Sequence, residues 1–244
     1  MRTYGILGYP LTHSFSKKYF DDKFAANQLS DASFLQFSLP NIGQITHELL
    51  NTNGLEGFCI TIPHKKDIIP YLHQASPEVL AMGACNCVRI RNGKLIGYNT
   101  DIIGFRKSFE PLLQPNHQKA LVLGTGGAAA AVTYVLQQMN IPFYTVSRSP
   151  KGEGQLAYSQ LNQAILQSHS IIINCTPLGT YPNVNDAPDL PYHLLTHDNY
   201  LYDLVYNPPL TRFLQLGTEQ GALVKNGYDM LTIQAEENWK IWNA

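Results

Sequence analysis

The stretch 120-ALVLGTGGAAAAV-132 constrains this chain more than any other: an apolar run ends in glycines and passes straight into an alanine-rich segment. A short apolar run bounded by glycine suits a buried strand, and the alanines suit a helix. In 124-GTGGAA-129 the pattern is G-x-G-x-x-A, and it sits where a phosphate-binding turn needs it, after a strand and before a helix. Gly124 permits the tight turn, Gly126 lets the backbone come close to a pyrophosphate, and Ala129 is small enough for helix and strand to pack. The free N–H groups opening the helix would face the phosphates. Glycine motifs also occur as ordinary turns of α/β proteins. More than a hundred residues precede this one, so the first half of the chain needs its own explanation.

The next strand decides which nucleotide the turn suits. An NAD-binding unit usually ends that strand in Asp or Glu, which accepts hydrogen bonds from the ribose hydroxyls. Here it ends in 146-VSRSP-150, with no carboxylate. Ser147, Arg148 and Ser149 offer a guanidinium and two hydroxyls, which suit a 2′-phosphate. A carboxylate there would repel that phosphate, so the expected cofactor is NADP. The missing acid also counts against S-adenosylmethionine. Alternatively, Arg148 is a solvated loop residue.

Short strand-like runs alternate with helical spacing along the chain. The first half offers strands at 3-TYGILG-8, 33-SFLQFSL-39 and 57-GFCITI-62, with helices over 16–28 and 42–50 and a hairpin over 85–99 turning at Asn92-Gly93. The second offers strands at 119–124, 142–147, 170–175 and 200–206. The segment 102–113 reads as a bridging helix, and 230–242 as a helix able to pack back on the first half. This pattern predicts two α/β domains with a cleft between them. Their bounds would be 1–101, completed by 230–244, and 102–229.

Composition narrows the function classes. The formal net charge of -1, with 14% charged residues and no run of like charges, gives no electrostatic footprint for nucleic acid. No apolar run approaches the ~20 residues of a membrane span, and the start MRTYGILGYP is too quickly broken by Gly and Pro for a signal peptide. Cys59, Cys85, Cys87 and Cys175 lack CxxC spacing. No metal is expected, and thiols in a cytoplasmic protein are the better reading.

An NADP-dependent dehydrogenase needs a proton acceptor for the alcohol and groups that orient the substrate. Polar residues gather at the ends of the first-half strands: Ser14 and Ser16 in 13-HSFS-16, Lys65 in 61-TIPHK-65 at an expected helix start, Asn86 in 83-GACN-86, and Asp101 in 98-YNTD-101. Lys65 can give a proton to a nascent alkoxide, and a neighbouring carboxylate would hold the ammonium in place. Taken singly, Lys65 could be a surface lysine, Asp101 a helix cap, and Ser14 or Ser16 a cap before 17-KKYFDD-22.

Together these segments resemble the shikimate dehydrogenase family, from residue 5 to about residue 240. The elements run in order: 13-HSFS-16, 61-TIPHK-65, 83-GACN-86, 99-NTD-101, 124-GTGGAA-129, 148-RS-149, 174-NCTPLG-179, 202-YDLVY-206 and 226-NGYDMLTIQA-235. The resemblance implies a substrate domain, a Rossmann-type NADP-binding domain, and a C-terminal helix returning to the first. It implies reduction of 3-dehydroshikimate to shikimate with NADPH, on the route to aromatic amino acids. Ser14 and Ser16, with Tyr206, would bind the substrate carboxylate. Thr61, Asn86 and Gln234 would hold ring hydroxyls, and Lys65 and Asp101 would sit at the hydroxyl being oxidised, Lys65 as general acid in the reductive direction. Cofactor contacts would come from Gly124, Thr125, Gly126, Gly127, Ala128, Ser147, Arg148, Ser149, Thr176, Leu204 and Gly227. The chain is expected as a monomer or homodimer.

Several positions depart from the family pattern. Cys59 stands where an asparagine is usual, Ile102 and Asp229 where glycines occur, and Ser147 and Ser149 flank Arg148 where the family has Asn and Thr. A quinate enzyme with relaxed NAD use, a ligand sensor without catalysis and a methyltransferase compete with the main reading. Arg148 opposes the first, and the presence of both Lys65 and Asp101 opposes the second. The missing acid, with the complete first-half set, opposes the third.

Overall fold

The computed structural model describes residues 1–11 and 14–244 and divides into two compact units, Met1–Thr100 with Gln234–Ala244, and Asp101–Ile233. The first holds β1 (Arg2–Gly8), α1 (Phe15–Ala26), β2 (Ala32–Ser38), α2 (Ile45–Glu48), β3 (Leu55–Ile60), β4 (Gln74–Ala75), α3 (Pro77–Met82), β5 (Cys87–Arg91) and β6 (Lys94–Tyr98). The second holds α4 (Asp101–Phe109), β7 (Ala120–Leu123), α5 (Gly127–Gln138), β8 (Phe143–Ser147), β9 (Gln155–Ala157), α6 (Gln163–Ser168), β10 (Ile171–Asn174), β11 (Tyr200–Asp203), α7 (Arg212–Glu219) and β12 (Leu223–Lys225). Helix α8 (Tyr228–Asn243) begins in the second unit and ends in the first.

Strands of the first sheet lie in the order β2-β1-β3-β5-β6-β4. β1, β2 and β3 run parallel, and β5 and β6 form an antiparallel hairpin, with β5 against β3. Asn92 and Gly93 take φ of 49° and 73°, the positive values a tight hairpin turn demands. Side chains alternate between faces. Tyr4, Ile6 and Cys59 pack with Phe20, Phe34, Ala235 and Trp242, while Leu7, Phe58 and Ile60 pack with Phe37, Ile45 and Val79 on the other side. Gly57 leaves room for the Trp242 indole, whose Nε1–H donates to the Val88 carbonyl at 3.0 Å.

The second sheet is wholly parallel, in the order β12-β11-β10-β7-β8-β9. In chain order within the unit this is 6-5-4-1-2-3, the doubly wound arrangement whose direction switches between its first and fourth strands. β7, β10 and β11 are buried along their whole length, as strands covered on both faces must be. Val122, Ile173 and Tyr202 meet Phe105, Phe109 and Val132 on one face; Leu121, Ile172 and Leu201 meet Leu166 and Phe213 on the other.

Three expectations change. The helix expected over 42–50 is a 3-10 turn, Ile42–Gln44, followed by the single α-turn of α2. The helix expected over 102–113 stops at Phe109, and Pro111 continues it only as a 3-10 turn. Lys65 does not open a helix: residues 62–68 form successive turns, and Pro63 and Pro70 deny them a continuous helical ladder. Among the described residues, no helix is long and apolar enough to cross a membrane.

Candidate active site

In the first unit the polar candidates collect at one end of the sheet, because β1, β3 and β6 finish there and the antiparallel β5 begins there. Ser14 follows β1 and caps α1, its hydroxyl accepting the Lys17 N–H at 3.3 Å. The capping role weighed from sequence is thus real, and it leaves the hydroxyl proton free to donate. Ser16 lies in the first turn of α1, half-buried. Thr61 follows β3, its N–H donating to the Leu7 carbonyl at 2.8 Å, with Gly8 leaving space for its methyl group. Lys65 is half-buried, and its carbonyl accepts the Cys85 N–H at 2.8 Å, fixing the turn independently of its side chain.

Asn86 is 1% exposed and heavily bonded. Its side-chain oxygen accepts the Thr100 N–H at 2.7 Å, and its amide donates to Gln234 Oε1 at 3.0 Å. Asn99 donates to the Ala84 carbonyl at 2.9 Å. These bonds anchor the two residues before Asp101, which opens α4 in the second unit and is 3% exposed. Cys59 packs in the apolar cluster around Tyr4 and Trp242, opposite Cys87 in the strand pairing. Ile102 packs against the core of the second unit, and Asp229, in the first turn of α8, pairs with Lys225 at the end of β12.

In the second unit the glycine turn follows β7 at the point where strand order reverses. Gly124 has φ of 104°, a value that favours glycine, and a Cβ there would press on Thr176 at 3.1 Å. Gly126 caps α5 without any side-chain bond to the helix N–H groups, and a Cβ on it would meet no protein atom within 4 Å. Thr125 is exposed, Gly127 and Ala128 are half-buried, and Ala129 is packed in the core. Among the described residues no packing demand accounts for glycine at 126, and the open space above its backbone would admit a phosphate. After β8, the Ser149 N–H donates to Ser147 Oγ at 3.2 Å, folding the loop so that Arg148 stands exposed. These residues fit a dinucleotide carrying an extra phosphate.

Beside the glycine turn lies a buried network that sequence reasoning left unassigned. Asn174 ends β10 and Asp203 ends β11 at matching register, both 0% exposed. Asn174 donates to Asp203 Oδ1 at 2.9 Å, and its own oxygen accepts from Thr176 N–H at 3.0 Å and Thr176 Oγ1 at 2.6 Å. The Thr211 hydroxyl donates to Asp203 Oδ2 at 2.5 Å and the Val205 N–H to Oδ1 at 3.0 Å. Burial pushes the Asp203 carboxyl up to about 7, the three donors only partly opposing it. A polar residue closing each of two apolar runs, IIIN and YLYD, is the signal that could have found the pair. Leu204 donates its N–H to the Asn174 carbonyl at 3.0 Å, and Gly227 sits so close to the Leu204 carbonyl that any side chain there would collide with it. Tyr206 is half-buried, and burial raises its phenol.

The doubly wound sheet, with a glycine turn at its switch point and a guanidinium after its second strand, defines a dinucleotide-binding α/β protein. A family model described as the shikimate dehydrogenase substrate binding domain matches residues 6–88. The NADP(+) shikimate dehydrogenase of Clostridium beijerinckii is 35% identical, over 99% of this chain and 92% of its own length. That of a Nostoc species is also 35% identical, over 98% and 89%. Among solved structures, the shikimate 5-dehydrogenase of Thermus thermophilus, in complex with NADP(H) and shikimate, superposes with a TM-score of 0.86 at 28% identity, over 99% of this chain and 93% of that one. The chain belongs to the shikimate dehydrogenase family.

Proposed function

We propose that this chain is an NADP-dependent oxidoreductase acting on a CH–OH group, interconverting 3-dehydroshikimate and shikimate in the chorismate pathway to aromatic amino acids. The observation that carries this reading is the 35% identity, over 99% of the chain, to an NADP(+) shikimate dehydrogenase. NADPH, when bound, supplies the hydride. Lys65 gives a proton from Nζ to the carbonyl oxygen as that carbon accepts the hydride, leaving an alcohol and a neutral amine that regains its proton from solvent. Asp101 is the second member of the proton-handling pair. Ser14, Ser16 and Tyr206 donate to the substrate carboxylate, while Thr61, Asn86 and Gln234 hold ring hydroxyls. Uncharged donors orient a carboxylate without the desolvation cost of a buried ion pair. In the second unit, the N–H groups opening α5 and the backbone at Thr176, Leu204 and Gly227 hold the cofactor, with Arg148 on the 2′-phosphate.

The enzyme acts as a monomer or homodimer in this reading. Its four cysteines, all thiols, fit a reducing cytoplasm. The test follows absorbance at 340 nm with shikimate or quinate and NADP or NAD, in four combinations. Fast reduction only with shikimate and NADP is the expected result. Turnover favouring quinate or NAD moves the chain to a relaxed relative, and silence in all four overturns the reading. Arg148→Ala should weaken NADP binding roughly tenfold or more, the scale of one charge-assisted contact, and leave NAD binding nearly unchanged. Equal losses in fluorescence titrations with the two cofactors would contradict the assignment.

A further inference from the structure

Thr100 is completely buried, and the peptide that follows it delivers Asp101. Its hydroxyl lies 2.7 Å from the side-chain oxygen of Asn238 and 3.2 Å from that of Asn86. One hydroxyl carries one proton and cannot donate to both. Asn86 Oδ1 must be an oxygen, because it also accepts the Thr100 N–H. A half-turn of the Asn238 amide, which exchanges its oxygen and nitrogen, lets Asn238 donate to the hydroxyl while the hydroxyl donates to Asn86. In either orientation Thr100 is held from both sides. Asn238, 3% exposed, stands four residues after Gln234, so both lie on one face of α8. Gln234 takes the Asn86 amide and Asn238 takes the Thr100 hydroxyl. Their neighbours on this helix, Ala235 and Trp242, are core residues, and a buried amide among them is costly unless bonded.

We propose that Asn238 is a positioning residue for the reaction, acting through the Thr100 hydroxyl to fix the peptide that carries Asp101. The proposal rests on the reading of Lys65 and Asp101 as the proton-handling pair. Loosening that peptide displaces a reacting group while leaving the nucleotide turn untouched, and displacements of about an ångström cost up to ~100-fold in rate. Asn238→Ala and Thr100→Val should each lower kcat about tenfold or more, with KM for shikimate moving less than about threefold and NADP affinity unchanged. The double variant should fall no further than Thr100→Val alone, because the valine already removes the hydroxyl that Asn238 holds. Thr100→Ser, which keeps the hydroxyl, should recover most of the rate. Lower melting temperatures with kcat intact would reduce Asn238 to a structural role and overturn the proposal, as would losses that multiply in the double variant. If the wild-type chain does not turn over shikimate, the functional reading fails separately. Hydrogen exchange over residues 98–104, followed by mass spectrometry, then decides: faster exchange in Asn238→Ala supports the link, and unchanged exchange overturns it.

Discussion

Lys65→Ala should reduce kcat at least ~100-fold with NADP affinity nearly intact, since general acid catalysis by one side chain contributes that much. The substitution leaves the backbone bonds of the turn in place. The turn around residue 65 is held by the Cys85 N–H donating to the Lys65 carbonyl and by the Ile68 N–H donating to the His64 carbonyl, at 2.8 and 3.1 Å. Neither bond involves the lysine side chain. The side chain is only half-buried, so its loss leaves no large cavity. Lost rate can then be assigned to missing chemistry, provided the melting temperature and the fluorescence titration with NADP stay at their wild-type values. Lys65→Met, which keeps the length and removes the proton, should be equally slow. A kcat within a few-fold of wild type for either variant would remove Lys65 from the mechanism.

The second large effect concerns stability. The Asp203 carboxyl titrates near 3.8 when exposed and is pushed up to about 7 in the folded chain, chiefly by burial. Between those values the folded protein keeps a proton that the unfolded chain has lost, so raising the pH favours unfolding. The contribution is full below about pH 4 and is lost as pH rises through about 7. At about 1.4 kcal/mol for each unit of pKa difference, the loss approaches about 4 kcal/mol. An asparagine at this position keeps an oxygen for the Val205 and Asn174 donors and offers its amide to the Thr211 hydroxyl, without a charge to bury. Urea denaturation from pH 4 to 8 should therefore show wild type losing up to about 4 kcal/mol relative to Asp203→Asn. A constant difference across that range would mean that the buried carboxyl does not change ionisation there.

Much of this architecture was legible in the residues because local physics writes it there. Alternation with period two separates Tyr4 and Ile6 from Leu7, and the structure sends them to opposite faces of the sheet. Asn92-Gly93 marks a hairpin because few other pairs accept two positive φ angles. Gly124 marks its turn for the same reason. Where the reading missed, a second local signal prevailed over the apolar spacing or the element was too short to carry one. The apolar spacing of 42–50 reads as a helix, yet the capping box of Asn41 and Gln44 opens a 3-10 turn and leaves a single α-turn to bury Ile45. The edge strands β4, β9 and β12 are two or three residues long, too short for any periodicity to show.

By itself, then, the sequence determined the longer strands, the hairpin turn and the principal helices, and which residue types could bear charge, donate a proton or let a backbone come close. Each of those properties belongs to a residue and its near neighbours. Only the tertiary structure decided which polar groups would share a buried bond. Asn174 meets Asp203 because β10 lies beside β11 in register, and Thr100 meets Asn238 across 138 positions because α8 packs on the first sheet. Nothing local encodes such a meeting; it follows from the burial of two apolar faces, which brings the polar groups along and obliges them to bond to one another.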